Sequence, residues 1–268
     1  MKVLLKSLNY APELTGIGKY NGEMCEAFAK KGMDVTAIVA PPYYPQWQVS
    51  PGYRKFWYKQ SKTNGVKLIR CPLYVPNNVT ITKRFIHLCS FAFTAALAMA
   101  TQLFNRPHVV MLVQPTLFCA PFALIFAKLM GAKTIMHIQD FEVNAMFGLG
   151  MVREGKMVNV IKRLESWLLK RFDAVSTISY SMMEIAKAKG VDESKIIYFP
   201  NWSDIDFVTP HSDGSALKKE WDFKPSDKII MYAGNIGYKQ GLEIIFDAAE
   251  YFQEQTDIKF VLVGAGAY

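Results

Sequence analysis

Val3-Leu4-Leu5-Lys6-Ser7-Leu8-Asn9-Tyr10-Ala11-Pro12-Glu13-Leu14-Thr15-Gly16-Ile17-Gly18-Lys19-Tyr20 runs from an apolar start, through a turn with a proline and two glycines, into helical periodicity over Tyr20–Lys31. A short strand, a turn at its carboxyl end and a helix make the first half of a βαβ unit. The alternation recurs along the chain. Apolar, β-branched runs at Asp34–Val39, Val66–Ile69, Val109–Val113, Thr134–Ile138, Ala174–Ile178 and Lys195–Tyr198 alternate with segments of helical pattern, among them Leu117–Met130, Gly155–Arg171 and Ser181–Lys189. Strands that are apolar along their whole length and separated by helices belong to a parallel sheet covered on both faces. The chain is expected to be α/β, with a doubly wound parallel-sheet domain over residues 1–205.

Past the irregular stretch Asn201–Asp213, the pattern restarts as a strand at Lys228–Ala233, a helix at Gln240–Gln253 and a strand at Ile258–Val263. A lone βαβ unit cannot bury both faces of its strands. Residues 206–268 are therefore expected to be the incomplete opening of a second Rossmann-like domain, the alternative being that both strands extend the first sheet.

Composition narrows the class. Of 268 residues, 51% are hydrophobic and 20% charged, which supports a buried core and excludes wholesale disorder. Cys25, Cys71, Cys89 and Cys119 form no CxxC pair, so neither a disulfide framework nor a structural zinc is expected. The apolar start is too short for a signal peptide, and the expected location is cytoplasmic. Charge is uneven: residues 1–84 hold 13 Lys and Arg against 4 Asp and Glu, a net +9, and the remaining 18 against 19 give −1. Such a face suits anionic lipid or a phosphorylated substrate. No zinc finger, helix-turn-helix or RNA-binding fingerprint accompanies it, so no nucleic-acid partner is expected.

Phe85–Phe104 has no Asp, Glu, Lys or Arg over twenty residues and is preceded by Lys83 and Arg84. It is long enough to span a bilayer. It also carries His87, Ser90, Thr94, Thr101 and Gln102, and a buried or interfacial helix is the expectation.

Three places carry candidate chemistry. Gly16 and Gly18 would let backbone approach a ligand at the helix start. The third glycine of a dinucleotide fingerprint is missing there, and no acidic residue closes the second strand, which counts against an oxidoreductase. His137-Ile138-Gln139-Asp140-Phe141-Glu142 lies at a strand's carboxyl end, where open α/β sheets bind ligands. His137 could pass a proton or hydrogen bond there, and Asp140 or Glu142 could take a substrate hydroxyl; a structural hydrogen bond is the plainer role for a single histidine. In Tyr232-Ala233-Gly234-Asn235-Ile236-Gly237-Tyr238-Lys239-Gln240-Gly241, the glycines would let amides reach a phosphate, with Lys239 adding charge; a plain tight turn explains them equally.

These motifs, with Pro41-Pro42-Tyr43-Tyr44-Pro45-Gln46-Trp47 and Pro200-Asn201-Trp202-Ser203-Asp204, span essentially the whole chain. Together they resemble the retaining glycosyltransferases of family 4, with the two-domain GT-B fold, and within them the colanic acid exopolysaccharide enzymes described as fucosyltransferases. The resemblance implies transfer of a sugar, with GDP-fucose as donor, onto a lipid-linked glycan at the inner face of the cytoplasmic membrane. It implies no metal or cofactor, since basic side chains and a helix N-terminus neutralise the leaving diphosphate. By position it implies that Gly16, Gly18, Gly234, Asn235, Lys239 and Gln240 meet the donor, and that His137 and Asp140 handle the transferring sugar. Tyr10, Arg54, Lys55, Trp57, Lys83 and Arg84 fall to the acceptor and membrane side, the run Arg54-Lys55-Phe56-Trp57-Tyr58-Lys59 interleaving charge and aromatic rings as an interfacial anchor does. Two departures stand out. Asn235 and Gln240 replace the arginine and lysine usual in the family, and the Glu-x7-Glu segment that holds the ribose is absent. A chain cut short in this way is expected to have little transferase activity, and a noncatalytic glycan- or membrane-binding module is the alternative.

Overall fold

The computed structural model describes residues 1–13, 16–78, 80–115, 117–141, 156–209, 213–237 and 240–266. The chain divides into two compact units, Met1–Trp202 and Ser203–Tyr268.

The first unit is built on an eight-stranded sheet in the order β3-β4-β2-β1-β5-β6-β7-β8. The strands are β1 Lys2–Ser7, β2 Asp34–Val39, β3 Lys59–Thr63, β4 Val66–Arg70, β5 Val109–Gln114, β6 Lys133–Ile138, β7 Ala174–Thr177 and β8 Ile196–Tyr198. All pairings are parallel except β3 with β4. The described helices of this unit are α1 Ile17–Lys30, α2 Ile81–Ala100, α3 Ala120–Met130, α4 Lys156–Leu169 and α5 Tyr180–Ala188.

Alternation along each strand sorts side chains to two cores. Leu4, Ile38, Leu112 and Met136 point to the face covered by α2 and α3. Leu5, Ala37, Met111 and Val113 point to the face covered by α1, with its Met24 and Cys25. Each buried leucine of β1 contributes roughly 2 kcal/mol, so a one-residue slip of this strand would cost both faces at once. The chain winds outward from β1 to β2 and the β3-β4 edge, then returns to the other flank of β1 with β5. The strand order thus reverses between β1 and β5, and the crevice at their carboxyl ends is where such sheets hold ligands.

Two elements differ from the sequence expectation. Lys59, read as the end of an interfacial loop, opens β3, an edge strand whose five residues are all exposed. Its lack of apolar residues hid it, but Asn64 and Gly65 that close the hairpin, at φ 49° and 85°, are the residues of a type I′ turn. The uncharged run Phe85–Phe104 does not coincide with its helix. Helix α2 starts at Ile81, where the Thr80 side chain caps the Lys83 amide, and stops at Ala100. No described helix is long and apolar enough to cross a membrane.

In the second unit, β9 Lys228–Ala233 and β10 Ile258–Val263 pair in parallel, with α7 Glu243–Tyr251 between them and a short α6 Ser215–Glu220 before them. They form their own two-stranded sheet and do not extend the first.

Candidate functional site

Three strand ends on the α1 side of the first sheet bring polar groups into one line. The β6–β7 register sets His137 opposite Ser176, and His137 Nδ1 lies 2.9 Å from Ser176 Oγ. Gln139, one residue past β6, bonds His137 Nε2 through Nε2 at 3.0 Å. Its Oε1 accepts from Asn201 Nδ2 at 3.0 Å. These bonds set the tautomer. The amide nitrogen only donates, so His137 Nε2 is the acceptor and the ring proton sits on Nδ1, donated to Ser176. Asn201 Oδ1 ends the line, buried and without a hydrogen-bond partner among the described residues.

His137 is 1% exposed, and burial pushes its imidazole down to about 4. The ring is therefore neutral at pH 7. An unfolded histidine titrates near pH 6.5, so between about 6.5 and about 4 the unfolded chain takes up a proton that the folded chain refuses. Stability is present above this window and is lost as pH falls through it, by roughly 3 kcal/mol. Urea unfolding at a series of pH values is expected to show that loss, and His137→Asn to make it shallower. An unchanged slope would remove His137 from the account.

Aromatic rings wall this line. The Phe199 ring meets His137 edge-on at 5.4 Å, Trp202 lies 6.1 Å from Phe199, and Tyr20 of α1 packs edge-on to Trp202 at 5.3 Å. Trp202 Nε1 donates to Glu23 at 2.6 Å, tying the end of the unit to α1. Asp140 is exposed beside the line, and Glu142 lies outside the described residues.

The β1–α1 turn is organised by Glu13, whose buried carboxylate accepts from Asn9 Nδ2 at 2.8 Å and from the Tyr43 and Tyr44 amides at 3.1 and 3.2 Å. Burial raises its pKa, against the pull of these bonds and of Arg70. A Cβ on Gly18 would stand 2.7 Å from Glu13 Cβ, so this glycine is required by the carboxylate packed over it. Gly16, at φ 57°, has open space around it. Of the two glycines, it is the exposed one.

Tyr10 is buried in the α1-side core, with its hydroxyl beside the Cys25 thiol. It is not on the surface that carries Arg54, Lys55 and Trp57, all three exposed. Tyr58 fastens that loop to the middle of α2 by donating to Thr94 O at 2.9 Å. Lys83 and Arg84 lie half-buried in the first turn of α2.

In the second unit, Gly234, Asn235 and Gln240 are exposed after β9. Asn235 Nδ2 and Gln240 Oε1 flank Gly237, each 3.1 Å from where its Cβ would stand. Lys239 lies outside the described residues.

The sequence pointed to His137 but not to Gln139, Ser176 or Asn201 as its partners. Their position at strand ends was the available signal.

A glycosyl transferase 4-like domain matches residues 15–202. A colanic acid biosynthesis glycosyl transferase, WcaI, of Escherichia coli (strain K12) is 46% identical over 99% of this chain, which spans 66% of that relative's length. Among solved structures, Anabaena Alr3699/HepE in complex with UDP and glucose superposes over 100% of this chain and 62% of its own, with TM-score 0.63 at 13% identity. The lipopolysaccharide outer core galactosyltransferase WaaB does so over 98% of this chain and 68% of its own, with TM-score 0.53 at 11% identity. These two share the fold, mostly parallel α/β of the GT-B type.

Proposed function

Since this chain belongs to the glycosyl transferase 4-like family, we propose that it serves sugar transfer in exopolysaccharide synthesis. It takes a nucleotide-sugar donor and passes the sugar, with retention, to a lipid-linked glycan at a membrane surface. The observation that carries the reading is the Ser176–His137–Gln139–Asn201 line. It presents neutral hydrogen-bonding groups at the carboxyl end of a doubly wound sheet, and such groups meet sugar hydroxyls without demanding a counter-charge. Gln139 and the exposed Asp140 meet the transferring sugar, and His137, whose two ring nitrogens are taken by Ser176 and Gln139, holds Gln139 in place.

In the second unit, the amides of the Gly234–Gly237 turn and the side chains of Asn235, Lys239 and Gln240 meet the diphosphate. No metal enters this scheme, so EDTA is expected to leave transfer unchanged. GDP-fucose is the donor we place first, on the family resemblance of the sequence motifs; the UDP and UDP-glucose held by a structural neighbour make UDP-glucose its competitor. Labelled donor incubated with membranes carrying lipid-linked glycan is expected to pass label into the lipid fraction, and His137→Ala to abolish the transfer. Label that never leaves the aqueous fraction with any donor overturns the reading.

The acceptor requires a docking face. Phe93 is 63% exposed on α2, alongside Phe85 and Leu97, with Phe118, Phe122, Ile125 and Leu129 exposed on and before α3. Phe85 and Phe118 meet edge-on at 5.3 Å, which joins the two ridges. Trp57, 72% exposed, is held close by the Tyr58–Thr94 bond. With the +9 of residues 1–84, this apolar face suits an anionic bilayer. The protein is expected to float with phosphatidylglycerol-containing liposomes at low salt and to lose that binding on Phe93→Glu with Phe122→Glu. Indifference of the parent protein to such liposomes would sink the membrane assignment.

A further inference from the structure

A pocket of about 270 Å³ opens beside the loop that follows β2. Its walls include Trp47, Gln48, Ser50, Tyr53, Val75 and Asn77. Drug-sized ligands take pockets from about 300 Å³ upward, so this one is sized for a single small ring. Its lining offers broad aromatic faces and groups that both donate and accept, together with the Lys55 side chain as a further donor. A pyranose has the matching two kinds of surface, a face of polarised C–H bonds and a rim of hydroxyls.

Both aromatic walls are held by their neighbours. Trp47 sits at φ 53°, a left-handed conformation that a bulky residue adopts only where its surroundings enforce it. Its ring packs 5.6 Å from Tyr43 and 5.4 Å from His87. The Gln48 amide donates to Tyr43 O at 3.2 Å and the Ser50 amide to Pro42 O at 2.9 Å. The Tyr53 ring carries the Arg70 guanidinium at 4.9 Å and the Lys59 ammonium at 5.6 Å. Such walls lose little freedom when a ligand arrives.

The pocket is also joined to the candidate site. Arg70 donates to Ala40 O at 3.0 Å and to Ala11 O at 2.6 Å, and Glu13 holds the Tyr43 and Tyr44 amides. The pocket loop is thereby bonded to the β1–α1 turn, at the carboxyl end of the sheet.

We infer that this pocket is a pyranose subsite for one ring of the acceptor glycan, with Trp47 and Tyr53 as stacking faces and Gln48, Ser50 and Asn77 as hydroxyl partners. Assigning that ring to the acceptor rests on the transferase reading, whereas its binding does not.

The test is saturation-transfer NMR of the whole chain with methyl pyranosides of glucose, galactose and fucose, at concentrations on the order of 10 mM. Saturation is expected in the ring C–H protons of at least one of them. It should fall about tenfold in Trp47→Ala and persist in Trp47→Phe, since the stacking energy of one aromatic face amounts to about that factor. Should Trp47→Ala fail to fold, the double variant Gln48→Ala with Asn77→Ala is expected to weaken binding several-fold with an unchanged melting temperature. No transfer to any pyranoside would overturn the inference, as would binding that survives both sets of variants or uridine occupying the pocket in their place. Nucleoside diphosphate binding, titrated on the same double variant, is expected to be unchanged. Loss of the donor reading and loss of this subsite are thus told apart.

Discussion

Replacing Glu13 by alanine is expected to destabilise the first unit by about 3 kcal/mol, which lowers its melting temperature by roughly 6–12 °C. The carboxylate is buried and takes one side-chain and two backbone hydrogen bonds, and its charge faces Arg70, which is itself buried. Its removal takes the acceptor from two amides and the counter-charge from a guanidinium in one step. Glu13→Gln is expected to lose about half as much, because its oxygen still serves the Tyr43 and Tyr44 amides while its nitrogen opposes the Asn9 donor. Differential scanning calorimetry decides. Equal stability of parent and Glu13→Ala would show that the turn is held by something else.

The second large effect has the opposite sign. Lys6, on β1 between Leu4 and Leu8, is 0% exposed, and its Nζ has no hydrogen-bond partner among the described residues. It lies on the α2–α3 face opposite Ile38 and Leu112. Burying a polar amine without a hydrogen bond costs more than it returns, and an apolar side chain of similar length has none of that cost. Lys6→Met is expected to stabilise the protein by about 2 kcal/mol, a rise of roughly 4–8 °C in melting temperature. A lower melting temperature would mean that the lysine is stabilised in place.

The parallel sheet was legible because its strands are apolar from end to end, and only burial on both faces selects such runs. Edge strand β3, Lys-Gln-Ser-Lys-Thr, carries no such signal, since all five of its residues are exposed. Helix α1 was legible, but its start at Ile17 in place of Tyr20 depends on Gly18 passing beneath Glu13, a contact made only in three dimensions. His137 stood out as a polar residue closing an apolar strand. Its tautomer did not, because that follows from Ser176, 39 residues on, and from Asn201, 62 residues past Gln139. The resemblance groups Tyr10 with the acceptor and membrane side, and the packing against Cys25 that buries it is invisible in one dimension.

Titration calorimetry with GDP, UDP, GDP-fucose, UDP-glucose and NAD tests most directly whether this chain holds a nucleotide sugar, as proposed above. The expected result is saturable binding of one nucleoside diphosphate and its sugar, weakened by Asn235→Asp and Gln240→Glu, whose added negative charge repels phosphate. Binding of NAD with no response to any nucleoside diphosphate would contradict the account.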